Sequence, residues 1–370
     1  MEKNHQRWKH QGGVIFTKPS IHPIDLFCKK REYVFSANYF RLHRLFTNHP
    51  ITMTTASKSK PILARFNELV PYQSQHADNG IPREVMEYLA ANKVFPVVSP
   101  PGLVGRNALA PLRGWPGLCI SIAQCTPRQG PVSHNHTGTL ENFFCLDGRF
   151  DVLWGNKLEN KVTLEPGDLC SMPPGVYRAF RNLTDSEARL LVLIQGDEKM
   201  SDKIQMPRAI GDEVREKHGD KVMELLAGIN MRFEGDDLTE VPPSKIHARV
   251  TRANQLAPNS NDASILPIMS PQHGVAPIEN WPGLSVSMLK VKTGASSTAK
   301  VDGDHCQWVV NLSNDPCEIQ VDGEKTILNK FDLIRVEPGA TRTLQNKGEG
   351  ELSVLLATQT KETIQLQAIH

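Results

Sequence analysis

One motif occurs twice in this chain, and that repetition restricts its fold more than anything else in the sequence. Trp115-Pro116-Gly117-Leu118-Cys119-Ile120-Ser121-Ile122 returns as Trp281-Pro282-Gly283-Leu284-Ser285-Val286-Ser287-Met288, an offset of 166 residues. Further along, Pro174-Gly175, Arg178 and Asn182 return as Pro338-Gly339, Arg342 and Asn346 at an offset of 164. Two matches in the same order and nearly the same register mean two copies of one domain, with the small slip absorbed in a loop. The length of 370 residues leaves room for both copies and some extra chain.

Within each copy the pattern is one of short strands with Gly and Pro punctuation, which favours a sandwich or barrel over alternating βαβ units. Asp147-Gly148 lies between the apolar runs 142–146 and 149–154, and Asp322-Gly323 lies between 317–321 and 325–328; both read as hairpin turns. Helical spacing is confined to the edges. Pro82 to Lys93 puts Val85, Tyr88 and Leu89 on one face, and Asp220 to Ile229 does the same with Val222, Leu225, Leu226 and Ile229.

The expected division is therefore a basic extension over residues 1–60, a first β domain over 61–196, a partly helical connector over 197–245 and a second β domain over 246–370. The first 52 residues carry nine Lys/Arg and three acids, net +6, which leaves 33 basic against 37 acidic residues, net −4, in the rest. This segment is read as a poorly ordered extension, with Met53 a suitable natural start; organelle targeting is the alternative. No chemistry is assigned to its five histidines. With a formal net charge of only +2, the whole chain has neither the basic excess of a nucleic-acid binder nor that of a membrane-surface protein. No apolar run approaches the roughly 20 residues that span a bilayer. The seven cysteines contain no C-x-x-C pair and read as buried thiols of a reducing, cytoplasmic compartment. Asn182-Leu183-Thr184 fits the glycosylation pattern, with nothing else to suggest secretion.

The chemistry sits in Gly130-Pro-Val-Ser-His134-Asn-His136-Thr-Gly-Thr-Leu-Glu141. On a strand His134 and His136 share a face, and Thr137-Gly138-Thr139 can bend the chain so that Glu141 joins them. Two imidazoles and a carboxylate suit a divalent first-row metal and leave positions open for water, oxygen or substrate.

These residues, followed by Gly148, resemble the first motif of the cupin superfamily, although Gly130 stands two residues nearer the first histidine than is usual there. Gly167, Pro173-Pro174-Gly175, Arg178 and Asn182 resemble the second motif, with Arg178 in place of the family's metal-binding histidine. The resemblance implies an all-β chain with minor helices, made of two tandem jelly-roll barrels with the metal inside. It also implies a small-molecule substrate and, as in many bicupins, a homo-oligomer.

Arg178 cannot ligate a metal, because its guanidinium stays protonated. Three readings stay open. His134, His136 and Glu141 hold metal while Arg178 grips a substrate carboxylate; or Arg178 pairs with Glu141 and no metal binds; or another residue supplies the missing donor. In the second copy the equivalents of the triad are Lys300, Asp302 and Gln307, so no metal triad is expected there.

Glu141-Asn-Phe-Phe, Gly148-Arg149-Phe150 and Trp154 further resemble the metal-site strands of quercetin 2,3-dioxygenase-type cupins. That likeness implies a non-haem dioxygenase for a small enolic or aromatic substrate, with Glu141 doubling as base. Fe(II) is the first choice of metal, with Mn, Ni or Zn as alternatives. Arg178, Phe143, Trp154 and Tyr177 are the candidate substrate contacts, the aromatics having an ordinary core role as their alternative. A non-redox isomerase, decarboxylase or lyase for a sugar or keto acid is the second function class, and a non-catalytic binding protein the third.

Overall fold

The computed structural model describes residues 62–196, 203–235, 241–247, 249–259 and 261–361. The expectations placed on residues 1–60, Met53 and the targeting segment lie outside the described residues.

Two seven-stranded sheets stand back to back, and each is the large wall of one barrel. Their strand orders are the same. The sheet of the first barrel contains Lys93–Ser99, Leu118–Cys125, Thr139–Asp147, Leu169–Met172 and Ala188–Gly196; that of the second contains Ala263–Ser270, Leu284–Val291, His305–Asn311, Leu333–Val336 and Leu352–Thr360. A smaller sheet closes each barrel: Phe150–Trp154, Asn160–Leu164 and Arg178–Asn182 in the first, and Ser296–Lys300, Cys317–Val321, Glu324–Leu328 and Thr341–Gln345 in the second.

The strands of the large sheets read as continuous apolar runs because both of their faces are buried. Period-two alternation divides the side chains. In Ala188–Gly196, Leu190, Val192 and Ile194 point into the first barrel while Leu191 and Leu193 point at the second. Leu284, Val286, Met288, Trp308, Leu355 and Ala357 meet them from the other side. Each such side chain contributes about 1.5–3 kcal/mol by leaving water, which makes the seam between the barrels a third core.

The repeated Trp-Pro-Gly marks this seam. Gln195 donates from the first barrel to the carbonyls of Trp281 (3.1 Å) and Pro282 (2.9 Å) in the second. Gln359 donates in return to those of Trp115 (3.1 Å) and Pro116 (3.0 Å). Strands are exchanged as well. Ile62–Ala64 pairs with residues 333–335 of the second barrel, and Val250–Thr251 pairs with 169–170 of the first. Hydrogen bonding thus crosses the divisions expected at 61 and 246: the short strand that precedes each barrel completes the sheet of the other.

Two of three local expectations are corrected and one holds. Asp147-Gly148 is not a hairpin, because Thr139–Asp147 and Phe150–Trp154 belong to different sheets. The turn is a barrel corner, where Gly148 (φ 72°) lies so close to Ala188 that a Cβ would sit 2.3 Å from that side chain. Asp322-Gly323 is a hairpin, with φ of 47° and 94° and with Val321 paired to Glu324, as a type I′ turn requires. In the helix Arg83–Leu89, Met86 rather than Tyr88 joins Val85 and Leu89 in the core, and the Tyr88 hydroxyl turns out to Glu213 at 2.7 Å.

The connector carries the helices Arg208–His218 and Asp220–Gly228, whose Val214, Val222 and Leu226 pack against the first barrel's core. Helices Tyr72–Ala77 and Arg83–Leu89 pack there too, whereas the core of the second barrel contains strand and loop residues only. The cysteines among the described residues are all buried free thiols. The Asn182 amide is buried and donates to the carbonyls of Cys125, Thr126 and Ser186, so its nitrogen is already engaged within the fold. No helix among the described residues is long and apolar enough to cross a membrane.

Candidate metal centre

His134, His136 and Glu141 converge inside the first barrel, each offering one donor atom within 4.8 Å of the others. Glu141 lies on the inward face of the strand Thr139–Asp147, between Thr139 and Phe143. The histidines are held differently from the expected regular strand. Their segment touches its neighbours only through isolated bridges, His134 to Arg178 and Asn135 to Gln205. The carbonyl of His136 accepts from the Gly175 amide at 2.8 Å. Gly130 makes this path sterically feasible, since a Cβ there would lie 1.7 Å from the Phe180 carbonyl oxygen. The two rings stand edge to face with centroids 5.5 Å apart.

Glu141 Oε2 lies 3.4 Å from His136 Nε2 and 3.8 Å from His134 Nε2. Such separations are too long for good hydrogen bonds. The shorter matches the roughly 3.0–3.4 Å edges of a coordination polyhedron whose metal–ligand bonds are about 2.1 Å, and the longer exceeds them by about 0.4 Å. Glu141 Oε2 and both ring nitrogens of His136 are buried without a hydrogen-bond partner. Native interiors rarely tolerate this, and a cation seated among the three donors would satisfy Oε2 and Nε2. His134 Nδ1 donates to the Val132 carbonyl at 2.9 Å, which fixes the tautomer and leaves the Nε2 lone pair facing Glu141. The residues therefore fit a divalent ion.

Electrostatics agree. Burial pushes the His136 imidazole down to about 3, so the ring is neutral and its lone pair available. Burial also drives the Glu141 carboxyl upward, but the pull of His136 and His134 is larger and holds it well below the usual carboxylate range.

Arg178 is fully buried beside this group. Its Nε lies 3.6 Å from Glu141 Oε2, and one Nη donates to the Pro173 carbonyl at 2.7 Å. Nε and Nη1 have no hydrogen-bond partner, so the contact with Glu141 is a Coulombic neighbour and not a bidentate clamp. Burial pulls the guanidinium down to about 10, still cationic at neutral pH.

A pocket of about 490 Å³ of empty space, part of it open to solvent, reaches His134 and Glu141. Leu89, Val94, Phe180, Val192, Ile194 and Met206 form much of its wall, and Tyr72, Arg106, Asn107 and Ser121 add polar groups. The expected substrate contacts lie elsewhere. Phe143 packs on Phe180 with centroids 5.4 Å apart, Trp154 stands edge to face with His247 at 5.8 Å, and the Tyr177 hydroxyl donates to the Gly235 carbonyl at 2.7 Å. None of these three, nor Arg178, lines the pocket. Besides barrel-strand residues, the wall takes Tyr72 and Leu89 from the helices before the first barrel and Ile204 and Met206 from the connector. The sequence signal for it was the pair of small inward residues Ser121 and Ala123, which leave the space open.

Residues 122–194 match the family model described as a cupin domain. No curated protein matches the chain by sequence. Solved structures similar to it include vicilin from Corylus avellana, at 12% identity over 66% of this chain and 75% of that one, with a TM-score of 0.44. A formate complex of oxalate decarboxylase from Lactobacillus farciminis shares 14% identity over 73% of this chain and 82% of that one, at 0.46. Oxalate decarboxylase from Bacillus subtilis shares 14% identity over 72% and 73%, at 0.47.

Proposed function

We propose that this chain, a bicupin, is a metal-dependent enzyme whose first barrel binds a divalent ion through His134, His136 and Glu141, and that its reaction is a non-haem oxygenation of a small enolic or aromatic substrate. The observation that carries this reading is the meeting of three buried donor groups, with Glu141 Oε2 and His136 Nε2 left partnerless, beside a mostly apolar pocket that His134 and Glu141 help to line. Two histidines and one carboxylate with open positions is the arrangement of non-haem iron oxygenases. When bound, Fe(II) supplies Lewis acidity and one-electron chemistry there.

The chain's own residues do the rest. Val132 holds His134 in the tautomer that presents Nε2. Glu141 acts as ligand and is the candidate base, its carboxylate lying in the pocket wall beside the two imidazoles. Phe180, Val192, Ile194 and Met206 take the apolar body of the substrate and exclude water. Arg178 sets the charge beside Glu141.

Arg106 favours a second reading. A guanidinium in the pocket wall suits a carboxylate-bearing substrate, as a non-redox decarboxylase, isomerase or lyase for a keto or sugar acid would require. Metal content and oxygen uptake of the purified full chain supplemented with Fe(II) test both. About one ion per chain, lost in His136→Ala, together with oxygen uptake on enolic or aromatic acids, is the expected result. Stoichiometric metal with turnover but no oxygen uptake moves the assignment to the second reading. Less than about a tenth of an ion per chain removes both and leaves a binding protein.

A further inference from the structure

The second barrel has lost the metal donors and kept the arginine. Lys300 and Asp302 point to solvent, whereas Arg342 is only 1% exposed. Its Nε donates to Gln307 Oε1. Its Nη1 is buried without an acceptor, and no carboxylate among the described residues pairs with it. Arg178 in the first barrel has Glu141 at 3.6 Å; Arg342 has a neutral amide in that place. Burial pulls Arg342 down to about 10, with no neighbouring charge acting on it, so it remains cationic at neutral pH. A buried, uncompensated charge costs several kcal/mol, and interiors seldom leave one without a counter-ion.

The surroundings select the kind of counter-ion. With Nε taken by Gln307, the Nη edge of the guanidinium remains, a flat pair of donors that matches the two oxygens of a carboxylate. Gln307 Nε2 donates to Thr358 Oγ1 at 3.0 Å, and Thr358 stands opposite Ser285 in the sheet register. These groups supply polar neighbours on the same inner face. Val309, Leu344 and Leu356, two residues along the same strand faces, supply apolar walls. We infer that the interior of the second barrel is a binding site for a small carboxylate, held by the Nη edge of Arg342 beside Gln307 and Thr358. The site is independent of the metal centre and of the reaction proposed for it.

Thermal unfolding of the full chain tests this, in sodium acetate against sodium chloride at equal ionic strength and neutral pH. A ligand that binds only the folded state raises Tm in proportion to ln(1 + [L]/Kd). Acetate is expected to raise Tm of the unsubstituted protein. The rise is expected to vanish in Arg342→Gln and to persist in Arg178→Gln. Gln307→Glu gives Arg342 an internal carboxylate, so this variant is expected to start from a higher Tm in chloride and to ignore acetate; it keeps the test decisive should Arg342→Gln fold poorly. The inference is overturned by equal Tm in acetate and chloride, by a rise that survives in Gln307→Glu, or by a rise abolished in Arg178→Gln, which would place the anion in the first barrel.

Discussion

The two barrels share strand order, corner asparagines and a buried arginine, yet only the first is built around a reactive centre. Asn182 and Asn346 tie the same corner, each amide donating to nearby carbonyls. Arg178 and Arg342 occupy the same place on the same strand. The difference lies in what faces that arginine and in what covers the barrel. Glu141 and two histidines stand against Arg178, with helices and the connector closing over them; Gln307 stands against Arg342, with no helix in its core. The scaffold thus tolerates a cation at this position in either barrel. The carboxylate and the imidazoles are what convert one of them into a candidate metal centre.

The strongest way to break the comparison is at the seam that holds the barrels together. Trp308 is fully buried between them, while its counterpart in the first barrel is Asn142, which donates to the Leu193 carbonyl at 3.0 Å. Trp308→Ala should lower the unfolding free energy by about 3–5 kcal/mol, and Asn142→Ala by about 1 kcal/mol, as urea titrations of both would show. A result in the opposite order would mean that the seam is not the shared core described above.

Acid distinguishes the barrels next. In the metal-free protein His136 is held at about 3 against an ordinary 6.5, chiefly by burial. Below pH 6.5 the unfolded chain takes up a proton at this residue and the native chain does not, so stability falls as pH drops from 6.5 towards 3. Glu141, held below its ordinary 4.5, adds a loss of the same sign once pH passes below that value. Gln307, a neutral amide in the place of Glu141, takes up no proton in this range. Urea unfolding at pH 6 and pH 4 should therefore show a smaller difference in His136→Gln than in the unsubstituted chain.

Arg178→His sharpens the comparison by placing a fourth donor where the guanidinium stands. It should tighten metal binding by tenfold or more, read in a chelator competition. Arg342→His in the second barrel, which lacks the other donors, should create no metal site. The smallest effects belong to the reciprocal glutamines. Gln195→Ala and Gln359→Ala should each cost about 1 kcal/mol, and equal values would confirm that the seam is symmetric in energy as well as in geometry.

Much of the site was legible because its residues are close in sequence. His134, His136 and Glu141 lie within eight positions, and their grouping follows from one bent segment. The pocket wall was less legible. Phe143, Trp154 and Tyr177 lie near the motif in sequence, but Phe143 packs on Phe180 in the core, and Trp154 and Tyr177 contact His247 and Gly235. Tyr72, Arg106 and Met206 come to the pocket from distant segments, and their spacing carries no periodic signal. The hairpin expected at Asp147-Gly148 failed for a related reason: Asp-Gly signals a turn, while which sheets the flanking strands join depends on their partners.

The amino-acid sequence by itself determined that the chain holds two copies of one β domain, that donor groups for a cation cluster in the first copy alone, and that an arginine stands where each copy might hold a fourth ligand. Repeats and short motifs survive as local order, so they can be read without a structure. Only the tertiary structure decided that each barrel borrows a strand from beyond the other, that helices seal one core and not its twin, and that Arg178 faces Glu141 while Arg342 faces an amide. Those facts depend on contacts between residues far apart in the chain, and long-range packing leaves no periodicity along it.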